Sequence, residues 1–264
     1  VASASIDLRA DGAVATVVLR NPDKFNAMSR AMWRALREVF GQVQARTDLR
    51  CVLVRGEGGH FCAGGDIAEY PGFRFDPASL RAFHEEDVWG GLSAMLACDV
   101  PILAVIEGHC MGAGVEIASC CDIRVAADSA RFGAPIAKLG FPMAPREAEL
   151  VTRVAGEVTV HELLLEAAVL DATEMKARGF LSRVLAPTAL WPHARERADR
   201  IAALAPGAAR LHKQTFRALN AQVAGANQSG AAINSIVNSA YDYADSAEHR
   251  EGIAAFLEKR PARF

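Results

Sequence analysis

Two glycine-rich stretches, Phe61-Cys62-Ala63-Gly64-Gly65-Asp66 and Gly112-Ala113-Gly114-Val115-Glu116, constrain this chain more than any other feature. Each follows an apolar run suited to a strand and leads into a run suited to a helix. A strand that turns sharply into a helix, repeated along one chain, implies parallel pairing and an α/β fold. Such turns also bare backbone N–H groups at the positive end of a helix. Two of these amides converging on one point would make an oxyanion hole. Acyl-transfer and enolate chemistry both use that device, because a carbonyl oxygen gains negative charge in the transition state. Spacing alone is equally consistent with two turns that only pack strands against helices.

The rest of the chain supports the same class. Ser5–Arg9 and Ala13–Leu19 alternate around Asp11-Gly12 and predict a hairpin. Met32, Leu36, Val39, Phe40 and Val43 recur at helical spacing behind Ser29, a capping residue. Cys51–Arg55, Ile102–Ile106, Ile123–Ala126 and Ser182–Leu185 read as strands. Gly56–Gly65 reads as a loop with unusual backbone angles. Asp76-Pro77 opens a helix whose buried face is Leu80, Phe83, Leu92, Met95 and Leu96. Thr159-x-x-Glu162 has capping-box spacing, and Gly179 marks a helix end. From about Ala189 the chain is alanine-rich and helical, broken at Pro206-Gly207 and again over Asn227 to Gly230. The expected partition is an α/β core over residues 1–195 and a helical portion over 196–264.

The 264 residues carry 29 Lys and Arg against 31 Asp and Glu, a net charge of −2 that argues against a general nucleic-acid binder. No apolar run approaches the roughly 20 residues of a membrane span. Asp7 and Arg9 stand where a signal peptide needs apolar residues, so the chain reads as soluble and cytoplasmic. Six cysteines, Cys51, Cys62, Cys98, Cys110, Cys120 and Cys121, lack metal-ligand spacing and read as reduced core residues. No metal site is expected.

Several pieces in order resemble the crotonase superfamily, the enoyl-CoA hydratase/isomerase family. They are Asn21-Pro22-Asp23-Lys24-Phe25-Asn26-Ala27-Met28, Val52–Gly56 leading to Phe61–Asp66, and Gly108–Glu116. They continue through Cys121–Ala126, Phe132-Gly133-Ala134-Pro135 and the tail Glu251–Arg260. The resemblance implies a crotonase-like spiral of ββα units, a helical C-terminal trimerisation region, and homotrimers or dimers of trimers. It implies an acyl-CoA thioester as substrate, so that coenzyme A arrives with the substrate and no separate cofactor is needed. By position, the oxyanion amides would be those of Ala63 and Ala113, and Glu116 would be the catalytic acid/base. Lys24, Ala27, Cys62, Gly64, Gly65, Asp66, Ile67, Gly112 and Ile136 would border the bound thioester. Lys24 would lie toward the nucleotide end, where Lys259 or Arg260 would meet a phosphate.

One departure matters. Hydratases of the family place a second glutamate directly after Phe-Gly-x-Pro; here that residue is Ile136. Hydration puts water on C3 and a proton on C2, and isoleucine serves neither step. The sequence therefore points to a hydratase/isomerase-like enzyme with one of the two glutamates missing and weak hydration of crotonyl-CoA. Double-bond migration by Glu116 alone is the favoured outcome, with decarboxylation or thioester hydrolysis as alternatives. A replacement group is to be sought among Glu69, Tyr70, His84, Asp87, Arg146 and Glu147, and Met143-Ala144-Pro145 should reshape the pocket floor. Asp66 is expected to cap a helix. Asp122 and Arg124 are expected to pair, and His109-Cys110 to be no nucleophilic dyad. A dinucleotide-binding reading of Gly112-Ala113-Gly114 fails, because residue 117 is Ile and no acidic ribose partner follows about 20 residues on. A CoA-binding scaffold without chemistry is the remaining alternative. Ile136 speaks for it and Glu116 against it.

Overall fold

The structure, a computed structural model, describes residues 4–223 and 236–264. The predicted hairpin forms as β1 (Ser5–Asp11) against β2 (Val14–Arg20), antiparallel with Asp11 opposite Val14. Ser29 caps α1 (Arg30–Ala45), its hydroxyl accepting from the Met32 N–H at 3.2 Å. The helix buries Met32, Trp33, Leu36, Val39, Phe40 and Val43, the stripe that the spacing predicts. β3 (Cys51–Gly56), β4 (Ile102–Ile106), β6 (Ile123–Ala127) and β9 (Arg183–Leu185) follow. With the hairpin they make a six-stranded sheet in the order β1-β2-β3-β4-β6-β9, parallel from β2 onward.

Both faces of this sheet are covered, which is why β3 and β4 read as continuous apolar runs. Val52, Val54, Ile102, Ala104 and Ile106 face the main core with Trp33, Leu36 and Phe40. The alternate residues Cys51, Leu53, Leu103 and Val105 pack on Leu190, Ala194 and Ala198 of α8 (Pro187–Ala202). That helix runs through the boundary expected at residue 195. The fold class matches the sequence reading: an α/β spiral in which strand pairs alternate with helices. β4 is followed by β5 (His109–Met111) and β6 by β7 (Arg131–Gly133), and the second member of each pair joins β8 (Val169–Asp171) in a separate three-stranded sheet.

Several local expectations are corrected. The capping box at Thr159 does not form: α6 (Glu157–Leu165) starts two residues earlier, after Gly156 at φ 86°, and Thr159 is buried inside it. The helix opened by Asp76-Pro77 is interrupted. It runs as α2 (Pro77–Ala82), a π-helical turn over Phe83–Val88, and α3 (Trp89–Ala97). Asp122 and Arg124 do not bond to each other. Asp122 accepts from the Ile102 N–H and pairs with Lys213, whereas Arg124 Nε donates to the Phe180 carbonyl. Gly179, at φ 85°, does follow a helix end, that of α7 (Ala172–Ala177). The helical text from Ala189 belongs to α8 and to α9 (Pro206–Val223), with a last helix over Ala247–Leu257. The break expected over Asn227 to Gly230 lies outside the described residues.

Candidate active site

The two glycine-rich turns are held side by side by a short parallel bridge between Cys62 and Cys110. The Cys62 N–H donates to the His109 carbonyl and the Met111 N–H donates to the Cys62 carbonyl, both at 2.8 Å. The chain leaves that bridge on one side through Ala63-Gly64-Gly65. On the other it leaves through Gly112, at φ 46°, into α4 (Ala113–Cys120). Gly114 is required by the closeness of the two: a Cβ there would lie 2.6 Å from the Cys62 carbonyl oxygen. The expected loop Gly56–Gly65 has its unusual angles at Gly58, Gly59 and Gly64, all at positive φ.

The amide assignment on the first turn changes. The Ala63 N–H donates to the Phe25 carbonyl at 3.0 Å and is not free to hold a ligand. Gly65 is bridged in parallel to Met28: the Met28 N–H donates to the Gly64 carbonyl and the Asp66 N–H to the Met28 carbonyl. In a parallel bridge the bonds come from the flanking residues, so the N–H of Gly65 itself points away from Met28. Gly65 borders a cavity of about 190 Å³, and its N–H has no acceptor among the described residues. A Cβ at Gly65 would fall 2.2 Å from Tyr70 Oη, so the phenol closes down on a bare glycine. Across the cavity Ala113 is the first residue of α4. Its N–H has no acceptor within the helix, and the helix dipole adds positive potential there.

Glu116 borders the same cavity from the first turn of α4. Burial, reinforced by the nearby charge of Glu147, pushes its carboxyl up to about 8 from an ordinary 4.5. A carboxyl held neutral near neutral pH can give up a proton, which is what acid catalysis needs. The shift also has a stability consequence. Between about pH 4.5 and 8 the unfolded chain has lost this proton and the folded chain has kept it, so stability falls as pH rises through that window. Glu116→Gln removes the linkage. The melting temperature of the variant relative to the unmodified protein is expected to climb from about pH 5 to about pH 8.5. A difference independent of pH would show that the site does not hold the proton.

The other expected binding residues divide. Gly64, Gly65, Ile67, Gly112 and Ile136 border the cavity. Ile136 presents hydrocarbon where a second carboxyl was sought, and Glu116 is the only carboxyl among the described residues on the wall. Lys24, Ala27, Cys62 and Asp66 are not on the wall. Cys62 is fully buried, with its thiol against the Gly64 carbonyl and pushed up to about 12 by burial. Ala27 is buried, and its carbonyl accepts from Asn21 Nδ2 at 2.8 Å. Lys24 pairs with Asp66 at 2.6 Å, and Asp66 caps the 3-10 turn Ile67–Gly72, accepting from the Ala68 N–H. Arg260 is held by Glu251 and Glu258. His109-Cys110 is no dyad, as expected. Cys110 is buried with its thiol pushed well up, and the His109 ring stacks on His60 at 4.7 Å.

Of the six replacement candidates, three are engaged elsewhere. Glu69 Oε2 accepts from the Arg30 N–H, Asp87 binds Arg30 and Arg34, and Arg146 pairs with Glu85. Tyr70 and His84 do border the cavity, and Glu147 lies behind His84. Met143 and Ala144 form part of the wall, as expected, and Pro145 opens α5 (Pro145–Ala155) instead. Sequence reading missed Arg74 and Phe141. The Arg74 guanidinium lies over the Phe141 ring at 3.5 Å and over Tyr70 at 4.7 Å, on the cavity wall, with no ion pair among the described residues. Burial holds it below the ordinary arginine value.

The described residues contain no cluster suited to a metal ion, and no helix among them is long and apolar enough to cross a membrane. A family model described as enoyl-CoA hydratase/isomerase matches residues 9–264. A protein named "probable enoyl-CoA hydratase" of Mycobacterium bovis is 30% identical over 255 residues, covering 96% of this chain and 95% of its own. The short-chain-enoyl-CoA hydratase of Clostridium acetobutylicum is 28% identical over 219 residues, 80% of each chain. The crystal structure of an enoyl-CoA hydratase/carnithine racemase from Magnetospirillum magneticum superposes with a TM-score of 0.91 at 36% identity. It covers 98% of this chain and 94% of that one.

Proposed function

The chain belongs to the enoyl-CoA hydratase/isomerase family, and from that premise we propose that it binds an enoyl-CoA thioester with the carbonyl oxygen between the N–H groups of Gly65 and Ala113. Glu116 then moves a proton at C2. The observation that carries this reading is the convergence, on one cavity, of two acceptor-free amides and a carboxyl held up to about 8. As the enolate forms, charge gathers on the thioester oxygen, where two preset donors stabilise it more than they stabilise the substrate. The apolar wall at Ile136 and Phe141 suits a hydrocarbon acyl chain. Coenzyme A enters and leaves as part of the substrate and product.

The reaction class we favour is hydratase or isomerase chemistry. A second reading, decarboxylation of a carboxylated acyl-CoA, draws support from Arg74, a cation on the wall that stacks on Phe141 and Tyr70 and has no carboxylate partner among the described residues. Turnover of crotonyl-CoA, a 3-enoyl-CoA and malonyl-CoA separates the two. Hydration or migration of the enoyl thioesters without loss of CO2 from malonyl-CoA is the expected pattern, and the reverse pattern would favour the second reading. Residues 196–264 we read as a subunit-contact region of a homotrimer or dimer of trimers. Phe216, Leu219, Phe256 and Leu257 are exposed there, which is costly for a free surface.

A further inference from the structure

We infer that His84, oriented by Glu147, is the second proton-carrying group of this site and stands in for the carboxyl that Ile136 cannot provide. The inference rests on the reading that Glu116 acts on a bound enoyl-CoA. His84 lies in the π-helical turn Phe83–Val88, which widens the helix and brings this ring to the cavity wall. Its Nδ1 is 3.1 Å from Glu147 Oε1. Glu147 is 2% exposed and sits in the first turn of α5, where the helix dipole favours a negative charge. A carboxylate accepts only, so the Nδ1–H donates to it, and the basic lone pair of the neutral ring is fixed on Nε2. Nε2 has no partner among the described residues, and the ring borders the cavity that holds Glu116. An imidazole held through one nitrogen by a buried carboxylate, with its ring on the wall of a reaction cavity and the other nitrogen unpartnered, has the make-up of a general base in a defined tautomer.

The chemistry balances with two groups. Water attacks C3 of the conjugated thioester while His84 Nε2 takes one of its protons. The C2=C3 electron pair moves toward the thioester, whose oxygen is held by the two amides. The neutral Glu116 carboxyl then gives its proton to C2. The imidazolium proton returns to the Glu116 carboxylate through solvent, and the net change is the addition of one water. The carboxyl of Glu116, raised by burial first and by the Glu147 charge second, suits the acid half of this pair, and the same Glu147 carboxylate holds His84. Glu147 is thus a positioning residue, and His84 a catalytic one.

The test uses the full chain with crotonyl-CoA for hydration and butyryl-CoA in D2O for exchange of the C2 protons, a step that needs Glu116 but no attacking water. His84→Asn keeps a donor toward Glu147 and removes the base. It is expected to lower hydration by about 10²-fold or more with KM within about threefold, and to lower C2 exchange far less. His84→Ala is expected to lose hydration likewise and to recover it about tenfold or more on addition of free imidazole, a rescue that a merely structural role would not give. Glu116→Gln should lose both hydration and exchange and gain nothing from imidazole. Hydration by folded His84→Asn at the unmodified rate would overturn the inference while leaving Glu116 in place. Equal loss of hydration and exchange in that variant, with no imidazole rescue, would also overturn it. Absence of both reactions in the unmodified protein would remove the underlying reading, and the inference with it.

Discussion

Glu116→Gln is expected to lower kcat on an enoyl-CoA by about 10²-fold or more while leaving thioester affinity nearly unchanged. The substitution keeps the shape of the side chain and one hydrogen-bond donor, and removes the proton that the buried carboxyl holds up to about 8. A 10²-fold loss corresponds to about 2.7 kcal/mol of transition-state stabilisation. It should appear in kcat and kcat/KM alike, because the interaction is made only as the proton moves. The folded protein should be no less stable than the parent, since the variant no longer has to keep a proton that the unfolded chain sheds. Steady-state kinetics with direct measurement of acyl-CoA binding checks both halves. An active variant would shift the proton work to Tyr70 or His84, the other titratable side chains on the wall apart from Arg74 among the described residues.

Ala113→Pro is expected to cost about 10² to 10³ in kcat, the loss seen when one oxyanion donor is removed. The choice of proline is deliberate. Ala113 is the first residue of α4, where the N–H has no helical acceptor and a proline ring fits the first turn. The substitution thus deletes one N–H and leaves the helix hydrogen bonds in place. Circular dichroism and thermal melting should match the parent within a few degrees. Full activity in a folded Ala113→Pro would mean that the thioester oxygen sits elsewhere.

Much of this site was legible in the sequence because its parts are local. Ser29 before an apolar stripe, Asp11-Gly12 between alternating runs, and a glycine turn running into Val115-Glu116-Ile117 each fix their own backbone. Glu116, three residues after Ala113 in that turn, is singled out by the resemblance to the family and not by the turn alone. The amide we propose as the first oxyanion donor, that of Gly65, is not singled out in the sequence, because four successive residues, Cys62 to Gly65, offer N–H groups. The bonds from Cys62 to His109 and from Ala63 to Phe25, 38 residues earlier in the chain, occupy two of them, and the bridge of Gly65 to Met28 turns the Gly65 N–H the other way. The small sheet escaped notice because β5, β7 and β8 have three residues each, too few to display a period of two. The pairing of His84 with Glu147 spans 63 residues and depends on a π-helical turn with no composition signal of its own. Its two members stand in the sequence only as two of six candidates, which burial and existing partners then separate.

A crystal structure with a non-reacting acyl-CoA tests the central claim most directly. The account predicts the thioester oxygen within about 3.2 Å of both the Gly65 and the Ala113 nitrogens, with C2 beside the Glu116 carboxyl. A thioester oxygen held by other donors, or an acyl chain lodged outside the cavity bordered by Glu116, His84 and Ile136, would contradict it.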